Sequence, residues 1–177
     1  KKLTAVFYEI EDFLKQNKIK YSSLKDKKEN KSETSLIKVP GKNFPINIPN
    51  QENLLDLLLV VPENNRNWIL DGIAKEIGSR QSGKWSLFYT PKQPIKLPKA
   101  KVIMFMHHTI MHRYLIKNAV DVNTTKVMTF YTHSRDIPEG EINQFLNSFN
   151  KIHKVIFMCT RYKKPWLDKG LAIERSA

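Results

Sequence analysis

The sequence predicts an α/β fold, with a mostly parallel sheet and flanking helices, preceded by an amphipathic helix and a linker. Three observations carry that expectation. Five apolar runs rich in β-branched and aromatic residues, at 55–61, 85–89, 101–106, 126–132 and 155–159, are bounded by polar residues, Gly or Pro. Most are separated by segments whose apolar residues recur three and four apart, the helical period. Finally, the runs beginning at Lys101, Lys126 and Lys154 end in histidines, arginines or hydroxyls, the polar rim suited to the carboxyl ends of parallel strands. Strands interleaved with helices imply crossover connections and parallel pairing.

Taken in order, Leu3, Val6, Phe7, Ile10, Phe13 and Leu14 form one apolar stripe on a helix over about 3–17. A stripe of this kind needs a partner: the back of the main domain, a coiled coil or a membrane interface. Glu9, Glu11, Asp12 and Lys15 on the other faces are mixed in sign, which argues against a purely anionic-lipid anchor. Protein packing is the expectation, with self-association through residues 3–17 as one form of it. From 18 to 33 the chain is dominated by Lys, Ser, Asn and Glu and reads as a mobile linker. Leu36 to Val39 suggests a short strand, the prolines between 40 and 49 suggest turns, and a boundary near Gln51 divides the chain into 1–50 and 51–177.

Leu55 to Val61 is almost continuously apolar, as in a strand covered on both faces, and Pro62 ends it. Asn64, Asn65 and Asn67 offer helix-capping side chains before a helix with Trp68, Ile69, Ile73, Ala74 and Ile77 at helical spacing, closed by Gly78. Gly72 inside it either costs about 1 kcal/mol of propensity or permits a close backbone approach. A strand at Trp85–Tyr89, a proline-rich loop, a strand at Lys101–Met106 and a helix at Thr109–Lys117 follow. Lys126–Thr132 is the fourth main strand. Ile137-Pro138-Glu139 starts a helix whose buried side is Ile142, Phe145, Leu146 and Phe149. Val155–Cys159 is the fifth main strand, and 162–171 contains a helix whose start is blurred by Pro165.

A chain of 177 residues has room for one substantial core, and 41% apolar residues argues against general disorder. No run reaches the roughly 20 apolar residues of a membrane-spanning helix. The lone Cys159 excludes an internal disulfide framework, fits a reducing cytosol, and reads as a small buried side chain rather than a nucleophile. The net charge of +13 points to an acidic partner: nucleic acid, anionic lipid headgroups or a phosphorylated small molecule. Lys92, Lys96, Lys99, Lys101, Arg113 and Lys117 carry no acidic residue between them, a surface that suits membrane phosphates or plain solvation.

The candidate chemistry lies at the strand ends. Successive side chains leave a strand in opposite directions, so one of His107 and His108 faces a ligand crevice while the other packs or caps the next helix. Either can take a proton from a hydroxyl near neutral pH. His108 and His112, four apart, form a weak metal signal without a convincing third ligand. His133, Arg135 and Asp136 follow the fourth main strand. Arg135 offers forked donors for phosphate or hydroxyls, and Asp136 could orient a histidine or accept a sugar hydroxyl; a loop salt bridge is the plain alternative. Thr160 and Arg161 hold the equivalent position after the fifth. There is no dinucleotide glycine turn, phosphate loop or nucleophile elbow. The glycine-containing basic stretch Gly78–Lys84 follows a helix rather than a strand and reads as a connecting loop.

This order of elements resembles the amino-terminal half of a GT-B glycosyltransferase, in particular the retaining bacterial group that builds surface polysaccharides. The matching segments are Leu57–Val61, Trp68–Ile77, the His107-His108 strand end, Thr132–Asp136 and Val155–Tyr162, with Lys169-Gly170 supplying a later glycine. The resemblance implies a Rossmann-like acceptor-side domain. His107, His108 and His133 would be the catalytic candidates, and Arg135, Asp136, Thr160 and Arg161 would contact acceptor or phosphate. It also implies a nucleotide-sugar donor held mainly by a carboxyl-terminal domain missing from this chain, a glycan or lipid-linked acceptor, and no cofactor or metal in this domain. The location would be cytoplasmic or peripheral at the inner face of the membrane. Two other readings stand beside it. One is a non-catalytic binding or assembly module; the other is a nucleic-acid-binding protein, supported by charge but by no recognition motif.

Overall fold

A computed structural model describes residues 2–19, 35–37, 54–132, 137–172 and 174. The helix α1 (Lys2–Gln16) comes first, then strands β1 (Ser35–Ile37) and β2 (Leu55–Pro62), helix α2 (Ile69–Ser79), and strands β3 (Trp85–Thr90) and β4 (Ala100–Phe105). Helix α3 (His108–Ile116), strand β5 (Lys126–Tyr131), helix α4 (Ile142–Lys151), strand β6 (Lys154–Phe157) and helix α5 (Thr160–Asp168) complete the order. The six strands form one sheet in the order β1-β3-β2-β4-β5-β6, and every pairing is parallel. The α/β, Rossmann-like architecture is therefore as expected, with β1 added at the edge beside β3.

The central strands lie between two layers. Alternate residues of β2 face opposite cores: Leu57, Leu59 and Val61 join one cluster, and Leu58 and Val60 join the other. The first cluster takes in α1 and α2, while α3, α4 and α5 contribute to the second. The helices change face because the chain steps from β2 to β3 in one direction and from β4 through β5 to β6 in the other, and crossovers keep one hand.

Val6, Phe7, Ile10, Phe13 and Leu14 of α1 are buried with Met128, Phe130 and Ile156 of the sheet. The stripe's partner is thus the back of the sheet. A turn after α1, with Lys18 at φ 60°, lets Ile19 N–H donate to the Leu14 carbonyl at 2.9 Å and buries Ile19, a helix-ending motif that satisfies a terminal carbonyl. The linker expected over 18–33 lies outside the described residues from 20 to 33.

Several boundaries move for identifiable reasons. The asparagines before α2 do not cap it, because its N-cap residue Trp68 makes no side-chain cap bond; instead the Asp71 carboxylate reaches back to Asn67 N–H at 2.8 Å. Gly78 is more than a terminator, since a Cβ there would come within 2.3 Å of the Trp85 indole. Gly72 shows the other outcome, since an added Cβ would meet nothing within 4 Å. Glu139–Glu141 forms a 3-10 turn, so α4 starts at Ile142 rather than near Pro138. Strand β6 ends at Phe157, leaving Cys159 half-buried as the N-cap residue of α5 rather than inside the strand. Helix α5 contains Pro165, and ends with Gly170 at φ 100°, where Leu171 N–H donates to the Trp166 carbonyl at 2.9 Å.

Candidate functional site at the carboxyl edge of the sheet

In a parallel sheet all strand ends of one kind share an edge, and ligands of open α/β sheets bind there, where the strand order reverses. Here the reversal lies between β2 and β4. Met106 N–H, just past β4, donates to the Val60 carbonyl of β2 at 2.9 Å, and His107 is the next residue.

His107 is the N-cap of α3. Thr109 N–H donates to its Nδ1 at 3.3 Å, and Thr109 Oγ1 lies 2.8 Å from the same nitrogen. A backbone N–H can only donate, so Nδ1 presents its lone pair, and the neutral ring carries its proton on Nε2. That nitrogen lies 3.3 Å from Thr132 Oγ1, just beyond β5. The half-buried ring is thereby held from two strand ends. Its choice of proton-accepting nitrogen is limited by the cap, which makes His107 a hydrogen-bond donor toward the edge more readily than a base.

His108 has a different role. It is fully buried, stacked on His107 at 4.6 Å and tilted on Tyr131 at 4.6 Å, with Phe145 and Phe149 also around it. Of the two adjacent histidines His108 is thus the one that packs, its ring enclosed by aromatic side chains rather than facing the edge. His112 is also a core residue. It stacks on Phe145 at 4.0 Å, and its Nδ1 lies 2.8 Å from Ser148 Oγ. Burial pushes its pKa down, against the opposing field of Glu141. Among the described residues no three potential ligands cluster as a metal site.

Thr160 and Arg161 open α5 and are exposed. Arg161 Nη2 donates to Tyr162 Oη at 2.8 Å, and its guanidinium sits 4.8 Å from the Tyr162 ring centre. Tyr162 meets Tyr131 edge-on at 6.0 Å, so rings connect Arg161 to His107 through Tyr162, Tyr131 and His108. His133, Arg135 and Asp136 lie outside the described residues.

The other side of the reversal holds a cluster that the sequence reading missed. Asp71 is buried; Tyr89 Oη donates to one oxygen at 2.7 Å, while Asn67 N–H and Lys75 Nζ donate to the other, each at 2.8 Å. Burial alone would raise the Asp71 pKa, but the Lys75, Tyr89 and Asn67 hydrogen bonds outweigh it and leave the carboxyl below its ordinary range. Burial and the adjacent carboxylate raise the Tyr89 phenol. Arg66 lies 4.1 Å from the Tyr89 ring centre and donates to Glu63 at 2.9 Å. Together these contacts pin the loop after β2, which leaves Trp68 and Ile69 exposed at 71% and 74% beside the edge. The Asn67-Asp71-Lys75 spacing was the available signal.

The six basic positions from Lys92 to Lys117 are not equivalent. Lys101 bonds Asp56 at 2.6 Å, and Arg113 donates to the Lys92 carbonyl, tying the loop after β3 over α3. Lys92, Lys96, Lys99 and Lys117 are exposed, with Ile95 and Ile116 exposed among them. No helix among the described residues is long and apolar enough to cross a membrane. Comparisons with protein-family models, curated proteins and solved structures find no match.

Proposed function

We propose that this chain is the acceptor-side domain of a GT-B glycosyltransferase, which transfers a hexosyl unit from a nucleotide sugar to a glycan or lipid-linked acceptor. The observation that carries the reading is His107, held between Thr109 and Thr132 where the strand order of the parallel sheet reverses. In the proposed reaction an acceptor oxygen bonds the anomeric carbon as the carbon–oxygen bond to the diphosphate breaks. The nucleoside diphosphate takes that electron pair, and the acceptor proton passes to its departing phosphate oxygen. His107 Nε2–H donates to Thr132 Oγ1, and that hydroxyl in turn donates to a ligand oxygen and fixes its position; such alignment contributes through orientation rather than proton abstraction. Thr160 and Arg161 supply a hydroxyl and a cation on the same edge, and donor binding falls to a carboxyl-terminal domain. Exposed Ile95 and Ile116 among lysines support a peripheral place on an anionic membrane. The α1 stripe is buried against the sheet, so it is one of the features behind the assembly alternative that packing within the chain also accounts for.

The test is release of nucleoside diphosphate by the native protein across a panel of nucleotide sugars, with acceptor present. His107→Ala is expected to lower kcat/KM about 100-fold while thermal unfolding stays cooperative. Undiminished turnover in that variant rejects the role of His107, and absence of release across the panel rejects the transferase reading.

A further inference from the structure

A cavity of about 170 Å³ lies beside the carboxyl end of β5, lined by Tyr131, Ile137, Ile142, Tyr162, Pro165, Trp166 and Lys169. Its walls are aromatic and aliphatic, and among the described residues Lys169 is the one charged residue lining it. Positions 162, 165, 166 and 169 share one face of α5, and helical side chains lean toward the amino terminus, which carries the Lys169 stem back along that face. Tyr162 accepts a hydrogen bond from exposed Arg161, which is not itself a lining residue. The walls are firmly set: Trp166 packs edge-on against Phe149 at 4.8 Å and Tyr131 at 5.7 Å. Pro165 removes one intrahelical donor from α5 and presents a flat apolar surface to the cavity.

We infer that this cavity binds the apolar segment of an amphiphilic anion, with the head group at Lys169. An apolar cavity of roughly 150 Å³ accepts benzene, so the bound segment is one ring or a chain of roughly six carbons. A neutral occupant would leave the Lys169 ammonium without a counterpart, and a bare anion would leave the rings unfilled. Assigning this ligand as the acceptor rests on the transferase reading and narrows the acceptor to one with an apolar segment beside its phosphate or carboxylate. The binding itself does not depend on transfer.

The experiment titrates the native protein with phenyl phosphate, benzyl alcohol and inorganic phosphate by calorimetry, with Trp fluorescence as a second readout. Phenyl phosphate is expected to bind at least about tenfold more tightly than either fragment. Ile142→Trp, which fills the cavity, and Lys169→Glu, an exposed change that leaves the core intact, are each expected to weaken it about tenfold. Equal binding of inorganic phosphate, equal binding of benzyl alcohol, no binding of phenyl phosphate, or indifference to Lys169→Glu overturns the inference. Turnover of a nucleotide sugar is scored separately. Phenyl phosphate binding without turnover sinks the transferase reading alone, and turnover without binding sinks the cavity assignment alone.

Discussion

The two faces of the sheet bury comparable sets of residues by different means. Under α1 and α2, Leu57, Leu59, Val61, Val102, Met104 and Met128 fill the centre, and close approach depends on the missing side chain of Gly78 against Trp85. Under α3, α4 and α5 the filling is largely rings: Phe105 with Tyr114, Tyr131 with Phe157, and Phe149 with Trp166, with His108 and His112 admitted to the same stack. Rings prefer particular mutual orientations, whereas aliphatic side chains repack with less regard to direction. The aromatic face also reaches the carboxyl edge with polar tips, so it connects the core to the candidate chemistry. The opposite face reaches the same edge through Tyr89, whose Oη donates to buried Asp71.

The largest expected effect breaks the aromatic side. Phe149→Ala removes a fully buried ring that touches Tyr131, Phe145 and Trp166, and should cost ~3–5 kcal/mol in denaturant unfolding; a loss below that range would mean that the face repacks as freely as an aliphatic one. Next, Gly78→Ala should destabilise by ~1–3 kcal/mol, since the added methyl overlaps the Trp85 indole and the helix or ring must shift. Gly72→Ala is the matched control on the same helix, where open space around the position leaves only the propensity term, a gain of ~0.5–1 kcal/mol. Opposite signs for these two alanines in thermal melts would confirm that Gly78, and not helix α2 in general, sets the approach.

The smallest effect concerns pH. Burial lowers the pKa of His112 from 6.5, so the folded state holds fewer protons than the unfolded chain. The associated stability is complete above pH 6.5 and declines below it until the depressed folded-state pKa is passed. His112→Asn should flatten that part of a Tm–pH curve relative to wild type; curves that stay parallel would show that its burial carries no titration cost.

The strand cores were legible because a strand covered on both faces must be apolar at nearly every position, as in Leu57–Val61. Boundaries were less so, because single contacts decide them: the His107 cap starts α3 one residue early, and β1 is a three-residue edge strand whose pairing with β3 has no local signature. At the site, His107 could be named from its place after an apolar run. The division of labour between it and His108 could not, since it depends on Tyr131 and Phe149 arriving from later elements. The Asp71 cluster was hidden for the same reason, with Tyr89 reaching Asp71 only once β2 and β3 pair.

The burial of α1 against the far side of the sheet has a consequence for synthesis. Glu9 feels Lys154 and Lys163, and α1 packs against β6, a strand made long after it. A ribosome adding ~5–20 residues per second therefore leaves the helix stripe without that partner for roughly 7–28 seconds while the intervening chain, on the order of 140 residues, is translated. During that interval Val6, Phe7, Ile10, Phe13 and Leu14 lack the β6 side of their native cluster, and only contacts made earlier in the chain, such as Arg80 over the Phe7 ring, are available to them.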